Sequence, residues 1–439
     1  MKLIRVKYFH VLLLLLIFSA ATKAQIYLPI DTANLSLRKD KSLDYTEFKK
    51  KYIVDFKKNY SGKDKSYIIR NYTKQTDNFK EDLEGASYVF EDNFDQLVDS
   101  IVNLIYQSNS KIPQDLKFYI SRDISLNAIC MGDRTFIINM GAFYFLNNEN
   151  ELAAMISHEI GHLMLEHGLK SMQVHYKAEK VDAKANLAEI KSGKYNKGSK
   201  ALEKYKALLY ANKSLNRRHE EEADSLGFIF YKNAGFTPFE YINSYKLAAR
   251  YDSIKPMGLK EDTYRNFFDL KDMPFKDSWL IAEDFSNYDY TKIKEEFDED
   301  SLRSHPEMEV RIKKLQSDFP ELNDSISQIS SASVSFLNLQ QIAEYEQIPS
   351  LIINEEYGFG IYLCLLRLQE NADNDYYKAL LGNLFMKIYD ARKAYLLNRY
   401  LDHINPEKQS ESYQLFLSFM WNLNMKEIKI IADYYSTDS

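Results

Sequence analysis

From Gln25 to about Ser110, segments rich in Lys, Asp and Glu alternate with short apolar patches such as Leu97-Val98-Asp99-Ser100-Ile101-Val102. That spacing predicts amphipathic helices. Between Leu116 and Gly141 the period changes: Lys117-Phe118-Tyr119-Ile120 and Thr135-Phe136-Ile137-Ile138-Asn139 are short aromatic and β-branched runs separated by polar residues and Gly132-Asp133. These predict strands of a small sheet. The run from Asn150 to His167 is apolar almost all round a helix, with Leu152, Ala153, Met155, Ile156, Ile160, Leu163 and Met164, and predicts a buried helix. Residues from about Lys170 to Arg217 are polar with helical spacing, broken near Ser192-Gly193 and Lys197-Gly198, as in a solvated helical hairpin. From about Ser330 onward, segments rich in Leu, Tyr and Ile predict packed helices. The expected class is mainly α (α+β), with one small sheet among helices.

Composition agrees with this pattern. A chain of 439 residues with 45% hydrophobic content is too long for one ordinary core. The divisions expected are an N-terminal helical region at 25–110, a central unit at 111–325 and a C-terminal helical unit at 330–439. Tyr (33) and Phe (26) are plentiful while Gly (14) and Pro (9) are scarce, which favours helices over tight turns. The formal charge of -6 is spread over intermixed Lys and Asp/Glu, so no basic stripe exists to hold a nucleic acid.

The first residues carry an address. Lys2, Arg5 and Lys7 precede an apolar run from Val11 to Phe18, and small residues lead to Thr22-Lys23-Ala24. This is the order of a secretory signal peptide over 1–24, and it predicts an exported protein, periplasmic or secreted. The run is too short to cross a bilayer, and no later stretch would cross one, so the processed chain is not expected to span a membrane. Export would permit a disulfide between Cys130 and Cys364, but they lie far apart in sequence in apolar surroundings, where a lone Cys reads as a small hydrophobe.

The buried helix holds the candidate chemistry. His158 and His162 are four residues apart, so both present ring nitrogens from one face, where a tetrahedral zinc ion would bind them. Glu159 lies about 100° round the helix, beside the metal, as a general base. This HExxH spacing is moderately specific. His167, nine residues after His158, falls about 180° round an unbroken helix and is excluded as a ligand unless the helix breaks. A third ligand is needed, and Arg217-Arg218-His219-Glu220-Glu221-Glu222-Ala223-Asp224 offers one. Glu220 and Asp224 share a helix face: Glu220 would complete the ligand set, and Asp224 would accept the second N–H of a ligating histidine. By itself the segment also reads as a charged, solvated helix.

With those residues in hand, His158-Glu159-Ile160-Gly161-His162 and Glu220-Glu221-Glu222-Ala223-Asp224 resemble the CAAX prenyl protease-like family of gluzincins, with its HtpX-like membrane peptidases and BepA-like periplasmic ones. Asn127-Ala128, Met131-Gly132, Ile137, Asn139 and Gly141 are similar to the family's strand and loop. Asn148 to Ala154 matches its lead-in, and Ser304-His305-Pro306 with Arg311 its His-Pro and Arg pair. The resemblance spans about residues 115 to 318. It implies a zincin-type domain with one Zn2+ per chain on His158, His162 and Glu220, Glu159 as base and Asp224 behind the ligands. It further implies that His305 and Arg311 enter the cleft and stabilise the oxyanion, although a surface turn ending in a salt bridge fits those two as well. The strand at Asn127 and Ala128 would pair with substrate backbone. Implied partners are protein or peptide substrates, with the branch closest to the soluble periplasmic BepA-like members.

Leu381, Gly382, Phe385, Ala394 and Pro406 fall at the spacing of one tetratricopeptide-type unit, which makes the C-terminal helices candidates to hold an envelope protein partner. Two functions follow: an endopeptidase acting on misfolded or misassembled envelope proteins, and a holdase or assembly factor whose zinc site is latent or structural.

Overall fold

The computed structural model describes residues 27–177, 197–253, 258–281, 308–323, 330–406 and 409–437, with the side chains of 197–214, 252–253 and 437 left aside. Residues 1–26, His305 and residues 178–196 of the polar segment lie outside the described residues.

Two long helices open the chain, α1 (Leu35–Asn59) and α2 (Lys65–Glu84), followed by the short β1 (Tyr88–Val89) and α3 (Asp92–Ser108). The strands β2 (Lys117–Ser121), β3 (Ala128–Cys130) and β4 (Thr135–Asn139) complete a four-stranded sheet of order β1-β2-β4-β3. β2 and β4 run parallel, and β3 lies antiparallel on the free edge of β4. The expected small sheet is therefore present within a mainly helical protein.

The alternation of β4 explains why the sheet is covered on both sides. Phe136 and Ile138 point into the core shared with α3 and the buried helix. Ile137 points the other way, with Tyr119, against Tyr45, Phe79 and Leu83 of α1 and α2.

After α4 (Met140–Phe145) comes α5 (Glu149–Met164), the predicted buried helix. Asn148 caps it by accepting from the amides of Asn150 and Glu151, while the Glu151 side chain reaches back to the Asn147 amide at 2.7 Å. Together they satisfy donors that a helix N-terminus leaves open. α6 (His167–Lys177), α7 (Lys197–Asn233), α8 (Pro238–Ser253) and α9 (Glu261–Phe268) follow, then α10 (Met308–Asp318). The C-terminal helices are α11 (Val334–Ile353), α12 (Tyr357–Glu370), α13 (Asp375–Lys393), α14 (Glu411–Asn422) and α15 (Met425–Thr437).

Apolar side chains gather into two large clusters. One joins the sheet, α3, α5, α7, α8 and the first half of α11; the other joins α9, Trp279, the second half of α11 and α12 to α15. Three segments thus pack across the divisions expected from the sequence. α3 faces α5, α9 faces the C-terminal helices, and α11 contributes to both. An amphipathic stripe states that a helix buries one face but not against what, so local patterning left these assignments open. Gly382 of the tetratricopeptide-type match sits against the last helix, where an added Cβ would lie 2.8 Å from the Tyr435 carbonyl carbon. Both cysteines are free. Among the described residues, no helix is long and apolar enough to cross a membrane.

Candidate metal centre

α5 and α7 cross at two glycines, and this crossing sets the site. A Cβ on Gly161 would lie 2.7 Å from the Ala223 carbonyl oxygen, and one on Gly227 would lie 2.8 Å from the His158 Cα. Only glycine permits such an approach, which brings Glu220 and Asp224 of α7 over the histidines of α5.

The Nε2 atoms of His158 and His162 lie 3.1 Å apart. Glu220 reaches both, with Oε2 3.6 Å from His158 Nε2 and Oε1 3.6 Å from His162 Nε2. Two donors each about 2.0–2.1 Å from one tetrahedral ion stand roughly 3.3 Å apart, so these three side chains fit zinc. His158, Glu159 and His162 also bring donor atoms within 4.8 Å of one another. Glu159 holds a different position from Glu220. Its Oε1 lies 3.9 Å from His158 Nε2, while Oε2 accepts the Cys130 amide of the edge strand at 2.7 Å. Burial, aided by the nearby Glu220, pushes the Glu159 carboxyl up to about 7 despite the opposing pull of His158.

Behind His158 and Glu220 stands a charged layer. His158 Nδ1 meets Asp224 Oδ1 at 2.9 Å, as the sequence predicts, and the Tyr245 hydroxyl donates to the same oxygen at 2.5 Å. Arg311 grips Asp224 through two N–H groups, Nε at 2.8 Å and Nη2 at 2.5 Å, and its Nη1 lies 3.1 Å from Glu220 Oε2. Burial alone would raise the Asp224 carboxyl, but Arg311 and His158 hold it at about 2. The family resemblance places Arg311 in the cleft, with a salt bridge as the other fit; its guanidinium lines the cleft and bonds the two carboxylates, the pairing that a buried anion requires.

The helix break that would readmit His167 does occur. Leu165 closes α5, Glu166 takes a left-handed φ of 55°, and α6 begins at His167. The His167 ring turns back to His162, yet it meets Nδ1 at 2.9 Å rather than the metal face, so the exclusion as a ligand agrees with its position. Its pairing with His162 was not anticipated, since the left-handed residue that makes the break is Glu166, which carries no glycine signal. Tyr245 was also missed, since one tyrosine in an aromatic-rich helix carries no distinguishing signal.

The site opens into a cleft of about 1240 Å³ that includes Asn127, Ala128, Met155, Tyr245 and Arg311 along its walls. β3 forms one rim. Asn127 and Met131 bond to β4 through Asn139 and Thr135, so antiparallel alternation turns the backbone groups of Ala128 and Cys130 outward. The predicted substrate strand therefore lies on the open edge of the sheet, beside the cleft that His158, Glu159 and His162 line.

Residues 92–318, from α3 through α10, match the sequence profile of Peptidase family M48. The chain is 25% identical over 171 residues to Metalloprotease LoiP of Escherichia coli (strain K12), across 37% of this chain and 62% of that protein. It is 20% identical over 161 residues to the Beta-barrel assembly-enhancing protease of Yersinia pestis, across 35% of this chain and 32% of that protein. The chain spans less than two thirds of the length of either relative.

Proposed function

Given that the chain belongs to peptidase family M48, we propose that it is a zinc-dependent endopeptidase that cleaves misfolded or misassembled proteins of the cell envelope. The observation that carries the reading is the convergence of His158, His162 and Glu220, at 3.1 and 3.6 Å, beside a carboxylate held apart from them. When bound, zinc would supply a Lewis acid that polarises the scissile carbonyl and the water that attacks it.

The protein's own residues do the rest. The substrate backbone lies antiparallel to β3 and bonds to the outward groups of Ala128. Glu159, ionised and tied through one oxygen to the Cys130 amide, takes a proton from the attacking water on the other and delivers it to the departing amine. Arg311 and Asp224 keep Glu220 and His158 in place, and His305 is assigned to the oxyanion on the family resemblance. A signal-like N-terminus and a relative named for β-barrel assembly support the envelope as the setting. The C-terminal helices are proposed to hold the substrate or a partner.

We expect one zinc per chain. Glu159→Gln should retain that zinc and lose casein cleavage by about 10²–10⁴-fold, the usual contribution of a general base. Unchanged cleavage in that variant would sink the mechanism, whereas a zinc-loaded wild type that cleaves no casein would favour the holdase reading. Glu220→Ala with full zinc occupancy would remove Glu220 from the ligand set.

A further inference from the structure

We propose that His167 is a positioning residue for the metal ligand His162, and that it works through a chain of hydrogen bonds ending on Glu222; the proposal rests on the zinc reading above. The reasoning begins with tautomers. His162 turns Nε2 toward the Nε2 of His158, so as a ligand it must carry its proton on Nδ1. That Nδ1 faces His167 Nδ1 at 2.9 Å. One of two facing ring nitrogens must accept, which leaves the His167 proton on Nε2. There Glu222 Oε2 lies 3.1 Å away, an acceptor without a proton to offer. Every donor in the sequence His162, His167, Glu222 has an acceptor, and the assignment leaves the lone pair of His162 Nε2 turned to the metal.

The surroundings fix the ring. His167 is buried, and its plane stacks on His219 at 4.0 Å between centroids and 10° between planes. The left-handed turn at Glu166 is what lets a residue on the opposite side of an ideal helix return to His162. The two zinc histidines thus have separate supports. His158 is backed by the buried Asp224 and its arginine, whereas His162 is backed by an imidazole whose carboxylate, Glu222, is 42% exposed.

The test measures metal binding and ligand geometry rather than turnover. Zinc affinity by chelator competition, the visible spectrum of the cobalt(II)-loaded protein and thermal unfolding of the metal-free protein are compared across variants. Outer partners of metal-bound histidines contribute about 10–100-fold to affinity, so His167→Ala should weaken zinc by that factor and shift the cobalt bands. His167→Gln, which can still accept and donate, should recover most of the loss. His219→Phe keeps the stacking surface and should bind zinc as wild type does. Wild-type affinity and cobalt bands in His167→Ala would overturn the proposal, as would an equal loss in His219→Phe, which would make packing the cause. If His167→Ala fails to fold, Glu222→Ala decides: weaker zinc supports the relay, and unchanged zinc and spectrum overturn it. A wild type that takes up no zinc would overturn the metal reading and this proposal together, whereas zinc-loaded wild type with an indifferent His167→Ala overturns this proposal alone.

Discussion

Arg311 neutralises two carboxylates at once, and the acid behaviour of the protein should show it. Asp224 is buried and held at about 2, below its ordinary value. A carboxyl depressed by folding stabilises the native state above its unfolded pKa, and that contribution is lost as pH falls through the folded value. Arg311→Met removes the cation and leaves the buried Asp224 and the half-buried Glu220 without it, at a cost of about 3–5 kcal/mol near neutral pH. The gap from wild type should narrow as the pH drops from about 4 toward 2, where wild-type Asp224 also takes up its proton. Urea unfolding at a series of pH values measures this, and a gap constant with pH would show that the lost charge pair is not its source. At this scale much was legible. His158, Glu159 and His162 stand out through their spacing on one helix, whereas Glu220 and Asp224 are marked only beside that motif, since alone their segment also reads as a charged, solvated helix. Tyr245 and the His167 pairing do not stand out, because each depends on where a separate helix happens to lie.

The site is positioned chiefly by the approach of α5 to α7, and the two glycines at their crossing make a further prediction. An alanine at 227 would drive its Cβ to 2.8 Å from the His158 backbone, and backbone cannot swing aside as a flexible side chain can. Gly227→Ala should therefore push α7 outward, destabilise the fold by about 1–3 kcal/mol and carry Glu220 away from the histidines. Weaker zinc binding alongside a lower melting temperature is expected; a lower melting temperature with wild-type zinc affinity would mean that the helices separate elsewhere. The predicted helices and strands of this region follow from local periods of 3.6 and 2, which survive into the structure. The role of the N-terminal hairpin was not legible. Tyr52 and Tyr72 both donate to the Gly132 carbonyl, and Gln75 to that of Met131, so α1 and α2 hold the β3–β4 turn beside the cleft. Those bonds end on backbone oxygens, which every residue has, so no pattern in the sequence marks them.

Across the whole molecule, one buried ion pair joins what the sequence suggested were separate units. Arg122, just past β2, meets Glu346 of α11, and neither is solvent-exposed. Glu346 also accepts from the Tyr27 hydroxyl and the Ile30 amide, each at 2.7 Å, while Arg122 donates to the Ile30 carbonyl at 3.1 Å. The start of the described chain, the sheet and the C-terminal helices therefore converge on one carboxylate. Removing it strands a buried guanidinium, so Glu346→Ala should cost about 3–5 kcal/mol, while Arg122→Met/Glu346→Leu, which leaves no charge behind, should recover much of that. The protein supplies its own reporters. Its two tryptophans, Trp279 and Trp421, both lie in the C-terminal apolar cluster, whereas the proposed metal ligands lie beside the other. In a cooperative wild type, tryptophan fluorescence and zinc release should share one denaturant midpoint. In Glu346→Ala the two should separate, with zinc release and fluorescence reporting different clusters. If they shift together, α11, which contributes apolar side chains to both clusters, suffices to couple them without the ion pair.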